Sequence, residues 1–225
     1  FIKKAKACIL LMLLLNTAQS QIITSYNLQS NVFDKIENWV DDKTYVFIAD
    51  DKVVFQPDYL MFSNNNNPYR DFISGLVSKT KNSEFYRKLV EKWYKSSHVK
   101  LVDENWPLFT NRLVSKGAKI ILLSTIPIYI ENIEKVKYSQ ISNFGLNLIQ
   151  ELNGQKEVIF DKLESWQSIF YHGILFNGPI STSKAINKFL QKLDQLPSKL
   201  LVISYDNNDI YQISNFLKDL NIDFR

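Results

Sequence analysis

The sequence is short of the residues that build cross-linked or metal-bound scaffolds. Its 225 residues include one cysteine, Cys8, and two histidines, His98 and His172. A single cysteine excludes an intramolecular disulfide framework, and neither histidine has a cysteine or histidine partner at metal-ligand spacing. We therefore interpret both histidines as surface or interface residues.

Glycine and proline are also few, with six of each. That scarcity excludes collagen-like and low-complexity chains, and an apolar content of 45% is typical of a folded globular protein. All four tryptophans stand in apolar stripes with helical spacing, so we predict that they belong to the core: Trp39, Trp93, Trp106 and Trp166.

No large excess of one charge is present. The chain has 27 Lys and Arg residues against 23 Asp and Glu residues, a formal net charge of +4. Binding to a nucleic-acid backbone requires a concentrated basic face. We therefore predict no nucleic-acid partner.

The most apolar segment, residues 7–15, is too short to span a bilayer as a helix. Three lysines precede it, and Ala18-Gln19-Ser20 supplies small residues at the positions that a signal peptidase reads. We predict a signal peptide over residues 1–20, cut before Gln21, which leaves no stable membrane anchor.

Removal of this leader would take three lysines and Cys8 with it, leaving 24 basic against 23 acidic residues, about +1. An exported chain without cysteine is more typical of bacteria than of the eukaryotic secretory pathway. We therefore expect a bacterial protein that is periplasmic or secreted.

Apolar runs and amphipathic stretches alternate beyond the leader. Strands are predicted at residues 44–49, 118–123, 146–149, 173–176, 200–203 and 221–224. Most of the intervening segments carry apolar residues at helical spacing. The alternation predicts an α/β fold, a Rossmann-like three-layer sandwich with a mostly parallel central sheet, in a single domain over residues 21–225.

Polar residues follow several of these strands. Asp50-Asp51 follows the first, Ser124-Thr125 the second, and Asp206 comes shortly after strand 200–203, while Lys184 opens a predicted helix. Ligands of open α/β sheets bind at the carboxyl ends of the strands. Ser124, Thr125 and Lys184 are therefore our candidates for ligand binding, with an anion as the expected ligand. For Asp50-Asp51, the simpler interpretation is a solvated turn.

The order of these parts resembles the haloacid dehalogenase (HAD) superfamily. The likeness is to uncharacterised secreted or periplasmic HAD-like bacterial proteins with an acid-phosphatase-like plan. It rests on Phe47-Ile48-Ala49-Asp50-Asp51, Ser124, Lys184 and Ser204-Tyr205-Asp206. The resemblance implies a small helical cap inserted at about residues 56–105.

The catalytic motifs implied by the resemblance are degenerate. Phe47 stands at the nucleophile position, Ala49 at the acid position, and Ser204-Tyr205 at the metal-binding pair. A phenyl ring cannot attack phosphorus, and Mg²⁺ requires oxygen ligands that usually include carboxylates. We therefore expect a pseudophosphatase without a cofactor, which binds a small phosphorylated ligand or a protein partner.

An enzymatic alternative remains. If the alignment shifts so that Asp50 takes the nucleophile position, then Asp50, Asp51 and Asp206 converge as a cluster suited to a hard metal ion. This alternative predicts a weak Mg²⁺-dependent acid phosphatase. Its catalytic candidates are Asp50, Asp51 and Lys184, and its metal candidates are Asp50 and Asp206.

Overall fold

The computed structural model describes residues 9–12, 22–25, 30–57, 84–126, 132–161, 167–218 and 222–224. Its strands are β1 Ile9–Met12, β2 Ile22–Ser25, β3 Thr44–Ala49, β4 Phe55–Pro57, β5 Val99–Leu101, β6 Lys119–Ser124, β7 Glu157–Ile159, β8 Ile169–Tyr171, β9 Ile174–Phe176, β10 Lys199–Ser204 and β11 Asp223–Phe224. Its α-helices are α1 Ser30–Trp39, α2 Glu84–Ser96, α3 Trp106–Ser115, α4 Ile133–Ile141, α5 Thr182–Leu190 and α6 Asn207–Lys218.

One sheet organises the described part of the chain. Its strand order is β2-β1-β10-β3-β6-β9-β8-β7, and β11 also pairs with β10. The centre is parallel, because β11, β10, β3, β6 and β9 run in one direction. Both margins are antiparallel hairpins. The predicted α/β class with a mostly parallel central sheet is confirmed, and the arrangement is consistent with a Rossmann-like sandwich.

The two faces of the sheet carry separate apolar cores. Val46 and Ile48 of β3 face a core built with α1, α3 and α4, which we call the first face. Tyr45 and Phe47 face the core built with α5 and α6, which we call the second face. This alternation follows from the two-residue period of a strand. A strand covered on both sides reads as a near-continuous apolar run, as residues 45–49 do.

The predictions for individual segments had mixed outcomes. Residues 146–149 do not form the predicted strand, although the Ile149 amide donates a hydrogen bond to the Ile120 carbonyl at 3.0 Å. Trp39 and Trp106 are buried in the first-face core as predicted, and Trp93 is half-buried. Trp166 lies outside the described residues.

The predicted cap insertion begins and ends on a two-stranded ribbon. Strands β4 and β5 pair antiparallel, and α2 lies between them in the chain. Residues 58–83, most of this insertion, lie outside the described part. Gln140 of α4 fixes the end of α2, because its Nε2 donates to the carbonyls of Tyr94 at 2.9 Å and Ser97 at 2.7 Å.

The N-terminal segment contributes to the sheet. Strand β1 lies inside the predicted signal peptide and pairs antiparallel with both β10 and β2. The predicted cut between Ser20 and Gln21 falls outside the described residues. No helix in the described ranges is long and apolar enough to cross a bilayer.

Candidate functional site

Asp50 lies immediately after β3, at the carboxyl edge of the parallel strands. Its amide donates to the Leu123 carbonyl at 2.9 Å, which continues the β3–β6 ladder by one residue. Its carbonyl accepts hydrogen bonds from the amides of Val54 at 3.2 Å and Phe55 at 2.8 Å. These bonds fold residues 50–55 into a tight turn that draws the Asp50 side chain inward, where it is 2% exposed.

The buried carboxylate of Asp50 is opposed by a buried lysine. Lys137 Nζ lies 3.1 Å from Asp50 Oδ2, and the two side chains are 7% and 3% exposed. The approach lies outside hydrogen-bond geometry, so Oδ2 has an ionic partner but no hydrogen-bond donor among the described residues. The other oxygen, Oδ1, accepts a hydrogen bond from the Asp51 amide. Desolvation makes such a pair costly to separate.

Lys137 was missed by sequence reasoning, although a signal was present. It lies in α4 midway between Ile133 and Ile141, four residues from each, and both isoleucines are buried in the first-face core. A residue at that position must point inward with them. The ammonium also lies 5.4 Å from the centre of the Phe55 ring, which gives it a second favourable contact.

Ser124 is the neighbour of Asp50 on the next strand. Ala49 pairs with Leu123, so the residues that follow them, Asp50 and Ser124, lie side by side. By strand alternation, both side chains belong to the first face. Ser124 is fully buried, and its hydroxyl has no hydrogen-bond partner among the described residues. Its predicted companion Thr125 is exposed.

Asn177, the residue after β9, was not predicted from the sequence. Its amide donates to the Ser124 carbonyl at 2.9 Å, and its side-chain Nδ2 donates to the Ile180 carbonyl at 2.8 Å. The side chain is buried, and its Oδ1 accepts no hydrogen bond within the described ranges. An asparagine followed by glycine would pass for an ordinary turn signal in the sequence.

Asp51 differs from Asp50 because its side chain is exposed. Desolvation by the surrounding edge and the charge of Asp50 nevertheless raise its pKa. The pKa of Tyr205 is also raised, first by desolvation and then by the charges of Asp51, Asp206, Asp209 and Asp50. The ammonium of Lys52 lies 4.7 Å from the centre of the Tyr205 ring and offsets part of this negative charge.

The remaining candidates lie on the second face of the same edge. Asp206 is exposed, and its Oδ1 accepts the amide of Asn208 at 2.8 Å, which caps α6. Thr182 in the first turn of α5 donates to Asp209 Oδ2 at 2.8 Å, and desolvation raises the pKa of Asp209. Lys184, in the same turn as Thr182, is exposed. The structure thus brings Asp50 and Ser124 together on one face, and it places Asp206 in a capping role.

Within the described ranges, no group of three or more Asp, Glu, His or Cys residues is arranged to hold a metal ion. Asp50 and Asp51 are adjacent in sequence, but one side chain turns into the core and the other toward solvent. The site therefore combines a buried ion pair, Asp50 with Lys137, and exposed carboxylates nearby, Asp51 and Asp206.

Two curated relatives come from Rickettsia. A Rickettsia prowazekii (strain Madrid E) protein named Uncharacterized protein RP296 is 25% identical over 226 residues, covering 99% of this chain and 82% of its own length. A Rickettsia bellii (strain RML369-C) protein named Uncharacterized protein is 24% identical over 227 residues, covering 88% of this chain and 74% of its own length. No solved structure gave a significant match.

A family model matches residues 28–225, a range that contains every site residue described above. None of these findings points to the HAD superfamily, so the resemblance drawn from the strand-end motifs is corrected: the family that the findings support is the one whose model matches residues 28–225. Similar strand ends arise in many parallel α/β folds, because the sheet itself places polar residues at its carboxyl edge. The chain belongs to the family described as Protein of unknown function (DUF2608).

Proposed function

We propose that this chain is an exported, non-catalytic binding protein that holds a small phosphorylated ligand at the carboxyl edge of its parallel sheet. The observation that carries the proposal is the buried ion pair between Asp50 and Lys137. A carboxylate that attacks phosphorus or binds Mg²⁺ must present an accessible oxygen to its partner. Both oxygens of Asp50 already face groups of the protein.

The cost of releasing Asp50 supports the same proposal. Removing one member of a buried ion pair leaves an uncompensated charge and costs about 3–5 kcal/mol. A catalytic cycle that drew Lys137 away from Asp50 would incur such a cost on each turnover. The pair therefore favours a structural role for Asp50 over a chemical one.

The ligand-binding part of the proposal rests on Ser124 beside Asp50 and on two exposed polar residues at the same edge of the sheet. Ser124 holds a fully buried hydroxyl without a partner in the described residues, and a ligand oxygen would satisfy it once the edge opens to admit the ligand. Thr125 is exposed on the same edge, and Lys184 offers a positive charge in the first turn of α5. The insertion at about residues 56–105 leaves the core directly after the Asp50 turn. We propose that it forms a cap-like cover over this edge.

A phosphatase assay tests the absence of catalysis. The full chain is incubated with a generic phosphomonoester and Mg²⁺, in parallel with Asp50→Ala and with the surface variant Asp34→Ala as a matched control. We expect hydrolysis at the background rate for all three proteins. Mg²⁺-dependent hydrolysis that is lost in Asp50→Ala alone would overturn the proposal and establish the phosphatase alternative.

A thermal-shift screen with small phosphomonoesters tests the binding. A ligand at one hundred times its Kd stabilises the folded state by about 2.7 kcal/mol, which raises the Tm by several degrees. We expect Ser124→Ala to weaken that shift, while Ser115→Ala, an exposed serine on α3, leaves it unchanged. If no phosphorylated compound shifts the Tm, or if Ser124→Ala keeps the whole shift, the proposed site is wrong.

A further inference from the structure

The edge of β10 that faces away from β3, which we call its outer edge, pairs with two strands, each along a different part. One edge of β10 pairs with β3 from Lys199 to Ile203. On the other edge, β11 pairs parallel with Lys199 and Leu200. Strand β1 pairs antiparallel further along, with Leu10 opposite Ser204 and Leu11 opposite Ile203. On this outer edge, the described structure therefore pairs the carboxyl end of β10 with β1 alone, at Ile203 and Ser204.

The sequence assigns β1 to the predicted signal peptide. The predicted cut before Gln21 separates β1 from β2, so processing would remove the strand that covers Ile203 and Ser204. An uncovered strand presents a row of unpaired backbone donors and acceptors, which readily pair with another extended chain. Ile203 and Ser204 lie at the carboxyl end of the parallel strands, the same end of the sheet as the proposed binding site.

We propose that the mature protein uses this segment of β10, from Leu201 to Ser204, as a docking edge for an extended apolar segment of a partner protein. The segment would add to the sheet as an antiparallel strand. The leader strand shows what the edge accepts, because Ile-Leu-Leu-Met occupies it in that direction with Leu10 opposite Ser204. Backbone hydrogen bonds supply the affinity in such strand addition, and alternate side chains supply the selectivity. The inference rests on the export part of the proposed function.

A disulfide trap first tests the register in the uncut full chain. Cys8→Ser removes the native thiol, and Leu10→Cys is combined with Ser204→Cys. Directly opposed residues of an antiparallel pair have Cα atoms about 4.5–5.5 Å apart, within the range of a disulfide. We expect rapid intramolecular bonding. Met12→Cys with Ser204→Cys is two residues out of register and should bond at least tenfold more slowly. Equal rates would overturn the proposal.

A cut full chain then tests the docking itself. A specific protease site is inserted between Ser20 and Gln21, the folded protein is cut, and a labelled peptide with the sequence of residues 7–16 and solubilising lysines is added. We expect the peptide to bind the cut protein and not the uncut one. A peptide with proline at the positions of Leu10 and Leu11 cannot donate backbone hydrogen bonds there and should bind at least tenfold more weakly.

Two other segments could pair with this edge, and finding either of them there would overturn the proposal. A disulfide between copies of the cut Ser204→Cys variant would show that a second copy of the chain occupies it. A disulfide between Thr24→Cys and Ser204→Cys after cutting would show that β2 moves into the vacated position. Loss of the folded state on cutting, or a folded cut protein that binds both peptides equally, would also refute it. None of these results bears on the phosphatase assay or the ligand screen, so the two proposals fail separately.

Discussion

At the scale of single residues, Lys137 and Asp50 hold each other inside an apolar core. Replacing Lys137 with methionine keeps most of the side-chain volume and removes the charge, so that the Asp50 carboxylate is buried without compensation. We expect Lys137→Met to lower the free energy of unfolding by about 3–5 kcal/mol. Urea denaturation at neutral pH measures the change.

Two variants make this result interpretable. Lys135→Met changes an exposed lysine of the same helix and should stay within about 0.5 kcal/mol of the wild type. The double variant Asp50→Asn with Lys137→Met removes both charges, and replacing a buried pair in this way is often close to neutral. A double variant as unstable as Lys137→Met alone would show that lost packing, rather than the unpaired charge, causes the effect.

Part of this site could be predicted from the sequence. The rule that polar residues gather after parallel strands led to Asp50 and Ser124, which do lie side by side. It could not reveal that Lys137 reaches Asp50, because that contact joins residues 87 positions apart through the packing of α4. Asn177 was missed for a related reason, since its Asn-Gly pair is indistinguishable from a loop signal until the strands are paired.

Asp51 provides a pH-dependent prediction at the same scale. Its pKa is raised from the ordinary value of 3.8 because of desolvation and then the charge of Asp50. The folded state therefore binds a proton more readily than the unfolded state, and stability falls as the pH rises from 3.8 through the folded-state pKa. We expect Asp51→Asn to be more stable than the wild type above that window and equal to it below.

Denaturant midpoints across the acid to neutral range test this sign. Asp34→Asn, an exposed aspartate on α1, is the matched control for the loss of one surface carboxylate. If Asp51→Asn loses stability at neutral pH relative to the wild type, the Asp51 charge is favourable in the folded protein and the stated cause is wrong.

At the scale of elements, the turn between α3 and β6 depends on Gly117. This residue has φ of +91°, and its amide donates to the Val114 carbonyl at 2.8 Å, which ends the helix. A Cβ placed there would lie 2.7 Å from Asp42 Cα, in the turn before β3. The missing side chain thus lets the two turns pack together at the amino ends of adjacent strands.

Glycine is required at residue 117 for two reasons, the positive φ and the close approach of Asp42, and alanine substitutions separate them. Gly154 also has positive φ, +77°, but nothing lies within 4 Å of the Cβ position. Gly154→Ala should therefore cost only the left-handed conformation, about 1–2 kcal/mol. Gly117→Ala adds a backbone clash worth about 1–3 kcal/mol more. Equal losses in thermal or urea unfolding would contradict the role assigned to Asp42.

The sequence predicted the central strands better than the marginal ones. Residues 44–49 and 200–203 are long apolar runs because both faces are buried, and that signal survives without tertiary information. Strands β7 and β8 have three residues each and contain partly exposed positions, so they offer no comparable run. Segment 146–149 shows the opposite error. Leu148 is buried by packing alone, and an apolar run does not distinguish such a loop from a strand.

At the scale of the whole molecule, α4 connects α2 with the candidate site. Lys137 on α4 holds Asp50, and Gln140, three residues later, holds the carbonyls of Tyr94 and Ser97 at the end of α2. Helix α2 also packs against α4 in the described structure. Opening of the end of α2 should therefore depend on Gln140, and opening of the core should not.

Hydrogen exchange of the full chain tests this coupling. Gln140→Ala removes both donors, a loss of about 1–2 kcal/mol that should raise exchange at the end of α2 about tenfold. The Ser97 amide, bonded to the Trp93 carbonyl at 2.8 Å, is a direct reporter. Amides of β3 and β10 should keep wild-type protection, because their bonds lie in the sheet. The exposed Gln212→Ala on α6 is the control and should change neither region. If Gln140→Ala accelerates exchange in β3 as much as at Ser97, then α2 and the core open as one unit, and the local role assigned to Gln140 is wrong.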